Sequence, residues 1–131
     1  MGRKTRHVAV LMGGPSSERE ISFVSGKAIA EALKGRGFKV DELDLDPKTY
    51  SVLQQMHPDV VFIALHGRPG EDGTVQGMLE VLNLPYTGSD VLGSALAIDK
   101  ARSREFLMGH GIGLPRGVVL TGVEELPRAM A

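Results

Sequence analysis

The chain predicts an α/β fold, an open and mostly parallel sheet flanked by helices. Three observations carry that expectation. Short apolar runs alternate with stretches of helical periodicity along the 131 residues. Glycine-rich loops follow the runs His7–Met12 and Val60–Leu65. The run Val60–Leu65 is continuous, as befits a strand buried on both faces. Strands that alternate with helices wind a parallel sheet through right-handed crossovers.

The elements follow in order. His7–Met12 is a buried strand closed by Gly13-Gly14. Ser17-Glu18-Arg19-Glu20 has the form of a capping box, in which hydroxyl and carboxylate answer each other's backbone N–H groups. The helix it opens should face inward through Ile21, Val24, Ser25, Ala28, Ile29, Ala32 and Leu33, and should stop at Gly35 and Gly37. Phe38–Asp46 reads as a more exposed second strand, and Pro47 to Met56 as a short helix or turn with Tyr50, Leu53 and Met56 inward. Val60–Leu65 is the third strand, followed by a helix marked by Val75, Met78, Leu79 and Leu82. Leu84–Thr87 is expected as a short strand and Val91–Ile98 as a short helix. Asp99 should cap a further helix from Lys100 to Met108, ending near Gly109 or Gly111. Gly117–Leu120 reads as a strand, and Thr121-Gly122-Val123-Glu124 repeats the capping-box pattern, so that a helix should start at about Thr121. Its apolar positions Val123, Leu126 and Met130 find no obvious packing partner, which suggests a fragment whose next domain is missing.

Composition narrows the function classes. Apolar residues make up 42% of the chain, enough to bury one core without staples. The formal charge is −1, and no dense Lys/Arg stripe is present, which argues against nucleic acid and anionic membrane as partners. Cysteine is absent, removing disulfides and thiol chemistry. The longest apolar run is far shorter than a membrane span, and the basic start at Met1–Arg6 precedes too short an apolar stretch for a secretory leader. A soluble, cytoplasmic protein acting on a small molecule is the expectation.

Chemistry concentrates in the loop His66–Gly77, which leaves the carboxyl end of a strand, where open α/β sheets bind ligands. Its glycines allow sharp turns and close backbone approach, while His66, Glu71 and Asp72 supply ionisable groups. Helix capping by Asp72 or Thr74 would explain one acid but not two. His66 itself has two readings, as a ligand group or as a partner for neighbouring backbone. Gly13–Glu20 is the second such loop. A carboxylate at Glu18 gains roughly 0.3–1 kcal/mol from the helix dipole, a sufficient structural reason for it. If both loops face one pocket, however, Glu18 can hold an ammonium group. Lys100 opposes the dipole of its helix, which suits either a phosphate beside the helix amides or a solvated side chain.

Other motifs fail. Gly88–Ser94 has P-loop glycine spacing without the lysine, and Gly109, Gly111 and Gly113 follow no strand. His57, His66 and His110 lack metal-ligand spacing, so no metal site is expected.

In order and spacing, Gly13-Gly14-Pro15-Ser16-Ser17-Glu18-Arg19-Glu20-Ile21-Ser22, the run His66–Gly77, Pro85-Tyr86-Thr87-Gly88 and Asp99-Lys100 resemble D-alanine–D-alanine ligases. The resemblance runs from His7 to about Leu120 and covers the amino-terminal domain of that family. It implies a pre-ATP-grasp, Rossmann-like domain over residues 1–112 and an incomplete start of the central ATP-grasp domain over 113–131. It further implies a cytoplasmic, homodimeric, magnesium-dependent ligase that joins two D-alanines for peptidoglycan precursors through an acyl phosphate made with ATP. Carried over by position, Glu18 would hold the ammonium of the first D-alanine with Ser17 beside it. His66 and Gly67 would shape that subsite, and Lys100 would serve the nucleotide side. Arg19 and Glu20 would only brace the helix start. The magnesium ligands, the arginine of the tetrahedral centre and the closing loop would lie beyond Ala131. The isolated chain is therefore expected to be inactive. Two other readings compete: a depsipeptide ligase accepting D-lactate, and a non-catalytic module for small-ligand binding or dimerisation through Met78–Leu82 or Val91–Ile98.

Overall fold

In a computed structural model, residues 6–120 and 122–126 are described. Strands β1 (His7–Met12), β2 (Lys39–Asp44) and β3 (Val60–Ile63) form a wholly parallel sheet in the order β2-β1-β3. Helix α1 (Arg19–Gly35) connects β1 to β2, and α2 (Thr49–Met56) connects β2 to β3. Helices α3 (Thr74–Val81), α4 (Val91–Ile98) and α5 (Lys100–Gly109) follow. The chain divides into two compact units, one ending at Ile98 and the other beginning at Asp99. No helix among the described residues is long and apolar enough to cross a membrane.

In the first unit, the central strand shows why both sheet faces are apolar. Ala9 and Leu11 point to one face, where they pack with Leu53 of α2 and with Val75 and Leu79 of α3. Val8, Val10 and Met12 point to the other, against Ala30, Ile29 and Leu33 of α1. Period-two alternation thus feeds two cores from one strand, the arrangement expected for a strand covered on both sides.

Helix α1 is rotated relative to the expected face. Its fully covered positions are Ser22, Gly26 and Ala30, while Ile21 and Val24 are 58% and 70% exposed and Ala28 and Ala32 also face out. Small residues at every fourth position bring the helix close to the sheet. A β-carbon on Gly26 would lie 2.6 Å from Cβ of Met12, closer than packing allows. The expected capping box is absent too. The Ser16 hydroxyl, rather than Ser17, accepts the Glu18 N–H at 3.0 Å, and the helix starts at Arg19. Its other end closes as expected around Gly37, at φ +80°: Gly37 N–H donates to Lys34 and Phe38 N–H to Leu33.

Further departures are local. Tyr50 is exposed, whereas Leu53 is buried as expected. The strand expected at Leu84–Thr87 shrinks to one bridge, Val61 to Tyr86. Val61 N–H donates to the Pro85 carbonyl and Thr87 N–H to Val61, but the Ile63 N–H turns to the Thr87 hydroxyl. A side chain there takes the place of the next backbone acceptor, and the ladder ends.

In the second unit, Asp99 caps α5 by accepting the Arg102 N–H at 3.0 Å. Gly117–Leu120 forms no strand, and Val118 and Val119 are exposed. The expected helix near Thr121 is represented by a 3-10 turn over Val123–Glu125, with Val123 and Leu126 exposed. Thr121 and Met130 lie outside the described residues.

Candidate functional site

Two loops leave the carboxyl edge of the sheet side by side, residues 13–18 after β1 and 64–73 after β3. Gly13 and Gly14 turn the first loop with φ of +73° and +78°, a conformation open to glycine at little cost. Asp44, at the end of β2, then holds it. Its carboxylate accepts the Gly14 N–H at 3.1 Å and a two-pronged bond from Arg19, which also donates to the Gly14 carbonyl at 3.0 Å. The Arg19 guanidinium pulls the Asp44 carboxyl below its usual range, against the opposing effect of burial, and the Gly14 N–H adds to the lowering. Bidentate guanidinium–carboxylate pairing fixes orientation as well as distance. Arg19 is thus a brace of the turn.

The second loop folds on itself. Gly67 N–H donates to Glu71 at 3.0 Å, and the Gly67 carbonyl accepts from Gly70 and Glu71. The Arg68–Pro69 peptide is cis. Asp72 is raised by burial but ends below its usual range because the Thr74 hydroxyl and N–H, with Arg68 nearby, outweigh that effect. From beneath, the Gln76 side chain donates to the Gly70 carbonyl at 2.8 Å, while its buried Oε1 has no protein partner among the described residues.

The loops meet at Gly67. A β-carbon there would stand 2.6 Å from the Ser16 hydroxyl and 2.8 Å from Oε2 of Glu18, and Gly67 itself has φ +67°. The Glu18 carboxylate therefore faces the residue that follows His66. His66 is half-buried. Its Nε2 lies 3.1 Å from the Ser25 hydroxyl of α1, and its Nδ1 lies 3.9 Å from the Glu71 carboxylate. Ser17 is exposed on the turn. Glu18, Gly67 and His66 are thus brought together, with Ser17 adjacent in the chain. Lys100 is an exposed residue in the first turn of α5, in the second unit.

Several contributors escape a reading of the sequence: Ser22, Asp44 and Gln76. Ser22 had a signal, since Ser22, Gly26 and Ala30 form a stripe of small residues four apart. Asp44 carried none, because an acid at the end of an exposed strand is ordinary. Chemically, the exposed Glu18 carboxylate, with Glu71 near His66, suits a small ligand bearing a cationic group.

Fold and site together define an α/β domain of the open parallel-sheet class, with two polar loops meeting at the sheet's carboxyl edge. Residues 47–89 match the family model described as D-ala D-ala ligase N-terminus. The chain is 56% identical over 117 residues to a D-alanine–D-alanine ligase of Moorella thermoacetica, covering 89% of this chain and 38% of that relative. Among solved structures, D-alanine–D-alanine ligase from Bacillus anthracis complexed with ATP matches with a TM-score of 0.78 and 33% identity, over 95% of this chain and 44% of that one. VanG D-Ala:D-Ser ligase from Enterococcus faecalis matches with a TM-score of 0.72 and 27% identity, over 97% and 48% of the two chains. The chain belongs to the D-alanine–D-alanine ligase family, whose amino-terminal region it matches. It spans well under half the length of the Moorella relative.

Proposed function

We propose that this chain supplies the first amino-acid subsite of an ATP-dependent D-alanine–D-alanine ligase making the dipeptide for peptidoglycan precursors. The observation that carries the reading is the approach of the Glu18 carboxylate to Gly67, one residue after His66. In this reading Glu18 receives the ammonium of the first D-alanine, and Ser17 and Gly67 border it. His66, steadied by Ser25, closes the side of the subsite. ATP phosphorylates the carboxylate of that D-alanine. The amine of the second then attacks the acyl phosphate through a tetrahedral intermediate, expelling phosphate. The chain's part is to fix the position of the first substrate, and such fixation is worth several orders of magnitude in rate.

Lys100 belongs on the nucleotide side, with residues 1–112 as the substrate domain and 113–131 as the start of the ATP-binding domain. Magnesium belongs with the nucleotide phosphates. Among the described residues, no group of three or more His, Asp or Glu is arranged to hold a metal. A cytoplasmic homodimer completes the reading.

Mixing the full-length protein with ATP and D-alanine tests it. ADP release that depends on D-alanine, with dipeptide as product, is expected, and the isolated chain should release none. Absence of D-alanine-dependent turnover in the full-length protein would defeat the reading. Preference for D-lactate or D-serine as second substrate would redirect it within the family.

A further inference from the structure

We propose that Ser22 is a positioning residue of this subsite, a hydroxyl wedge that sets the gap between the Glu18 loop and the His66 loop. The inference rests on the ligase reading above. In the β1–β3 ladder Leu11 faces Ile63, and Ala64 N–H donates to the Leu11 carbonyl at 2.9 Å. Parallel ladders continue in regular steps, so the next rung would join the Gly13 N–H to the Ala64 carbonyl. That rung is replaced. The Gly13 N–H donates instead to Oγ of Ser22 at 2.8 Å, and the same hydroxyl donates to the Ala64 carbonyl at 2.8 Å.

One oxygen atom from α1 thus stands between a donor and an acceptor that would otherwise bond directly. The two strands part at that level, and the two loops that meet at Gly67 begin there. A hydroxyl is suited to this place because it accepts and donates at once. Ser22 is 0% exposed, so water cannot readily take its role. The close seat of α1, set by Gly26 against Met12, delivers the hydroxyl to the rung. Without it, either the rung closes and draws the two loops together, or two buried polar groups lose their partner. Both outcomes move Glu18 relative to Gly67. Displacements of about 1 Å in a positioned site cost up to about a hundredfold.

The test uses the full-length protein with Ser22→Ala, Ser22→Cys and the control Leu53→Ala, which opens the core on the opposite face of the sheet. Ser22→Ala should raise KM for the first D-alanine at least about tenfold, with little change in KM for ATP. Ser22→Cys, which keeps a bulky but weaker hydrogen-bonding group, should fall between, and it carries the test if the alanine variant does not fold. Leu53→Ala should lose thermal stability with KM for D-alanine unchanged. The inference is overturned if both Ser22 variants keep the wild-type KM, or if Leu53→Ala raises it equally. A wild-type protein without D-alanine-dependent ADP release marks instead the failure of the ligase reading, and the subsite role falls with it.

Discussion

Oε2 of Glu18 and the backbone of Gly67 stand so close that a β-carbon on Gly67 would lie 2.8 Å from the carboxylate. The pair joins the two loops at the sheet's carboxyl edge, and Gly67 also holds φ +67°. Gly67→Ala therefore meets two penalties, a left-handed backbone costing roughly 1–2 kcal/mol and a clash with Glu18 and Ser16. Chemical denaturation of the variant should show at least that loss of stability, and D-alanine titration of the full-length protein should show weakened binding.

Glu18 separates function from folding. The residue is exposed and its side chain caps no helix N–H. Glu18→Gln should leave the melting temperature within about a degree of wild type, since surface changes of this kind stay within about 0.5 kcal/mol. The KM for D-alanine should rise tenfold or more, because the amide offers an ammonium group a dipole instead of a charge. Steady-state kinetics with D-alanine varied at saturating ATP would measure it.

The Arg19–Asp44 brace gives the fold a dependence on acid. Asp44 titrates below its usual range in the folded chain. Its contribution is therefore complete above the unfolded value, about pH 4, and is lost as pH falls through the lower folded value. Asp44→Asn should lower the melting temperature modestly at pH 7, and the difference from wild type should shrink towards pH 2. The effect stays small because both side chains are more than two-fifths exposed. Thermal melts across that pH range decide the matter. A gap that widened in acid would contradict the assignment.

Gly26 should gain nothing from a side chain. Alanine is the better helix former by about 1 kcal/mol. Here its β-carbon would nevertheless meet Cβ of Met12 at 2.6 Å. Overpacking of this kind costs about 1–3 kcal/mol, so Gly26→Ala should be neutral to destabilising rather than stabilising. Shortening Met12 to alanine should not rescue it, because the nearest obstructing atom is the one alanine retains. Urea unfolding of the single and double variants would establish this.

Much of the frame was legible in the residues. His7–Met12 is the first strand to the residue, Val91–Ile98 is a helix, and Asp99 caps the next one. Each follows from local chemistry: a continuous apolar run, helical spacing, a capping carboxylate. The rotation of α1 was not legible. Ile21 and Val24 are the more apolar residues, yet close approach to Met12 selects the smaller Ser22, Gly26 and Ala30. Tertiary packing there overrides hydrophobic spacing. Glu18 and His66 stand out as candidates because they lie on strand-end loops, while the roles proposed for them come from the family resemblance. The replaced rung at Ser22 could not, since it depends on the register between β1 and β3.

The outermost strand, β2, carries charge on Lys39, Asp41, Glu42 and Asp44 within its six residues. A foreign strand laid along that border would have to strip water from those groups before gaining its backbone bonds. Copies of this chain that associate are therefore steered away from extending the sheet through β2. Any pairing between them has to be sought away from that border.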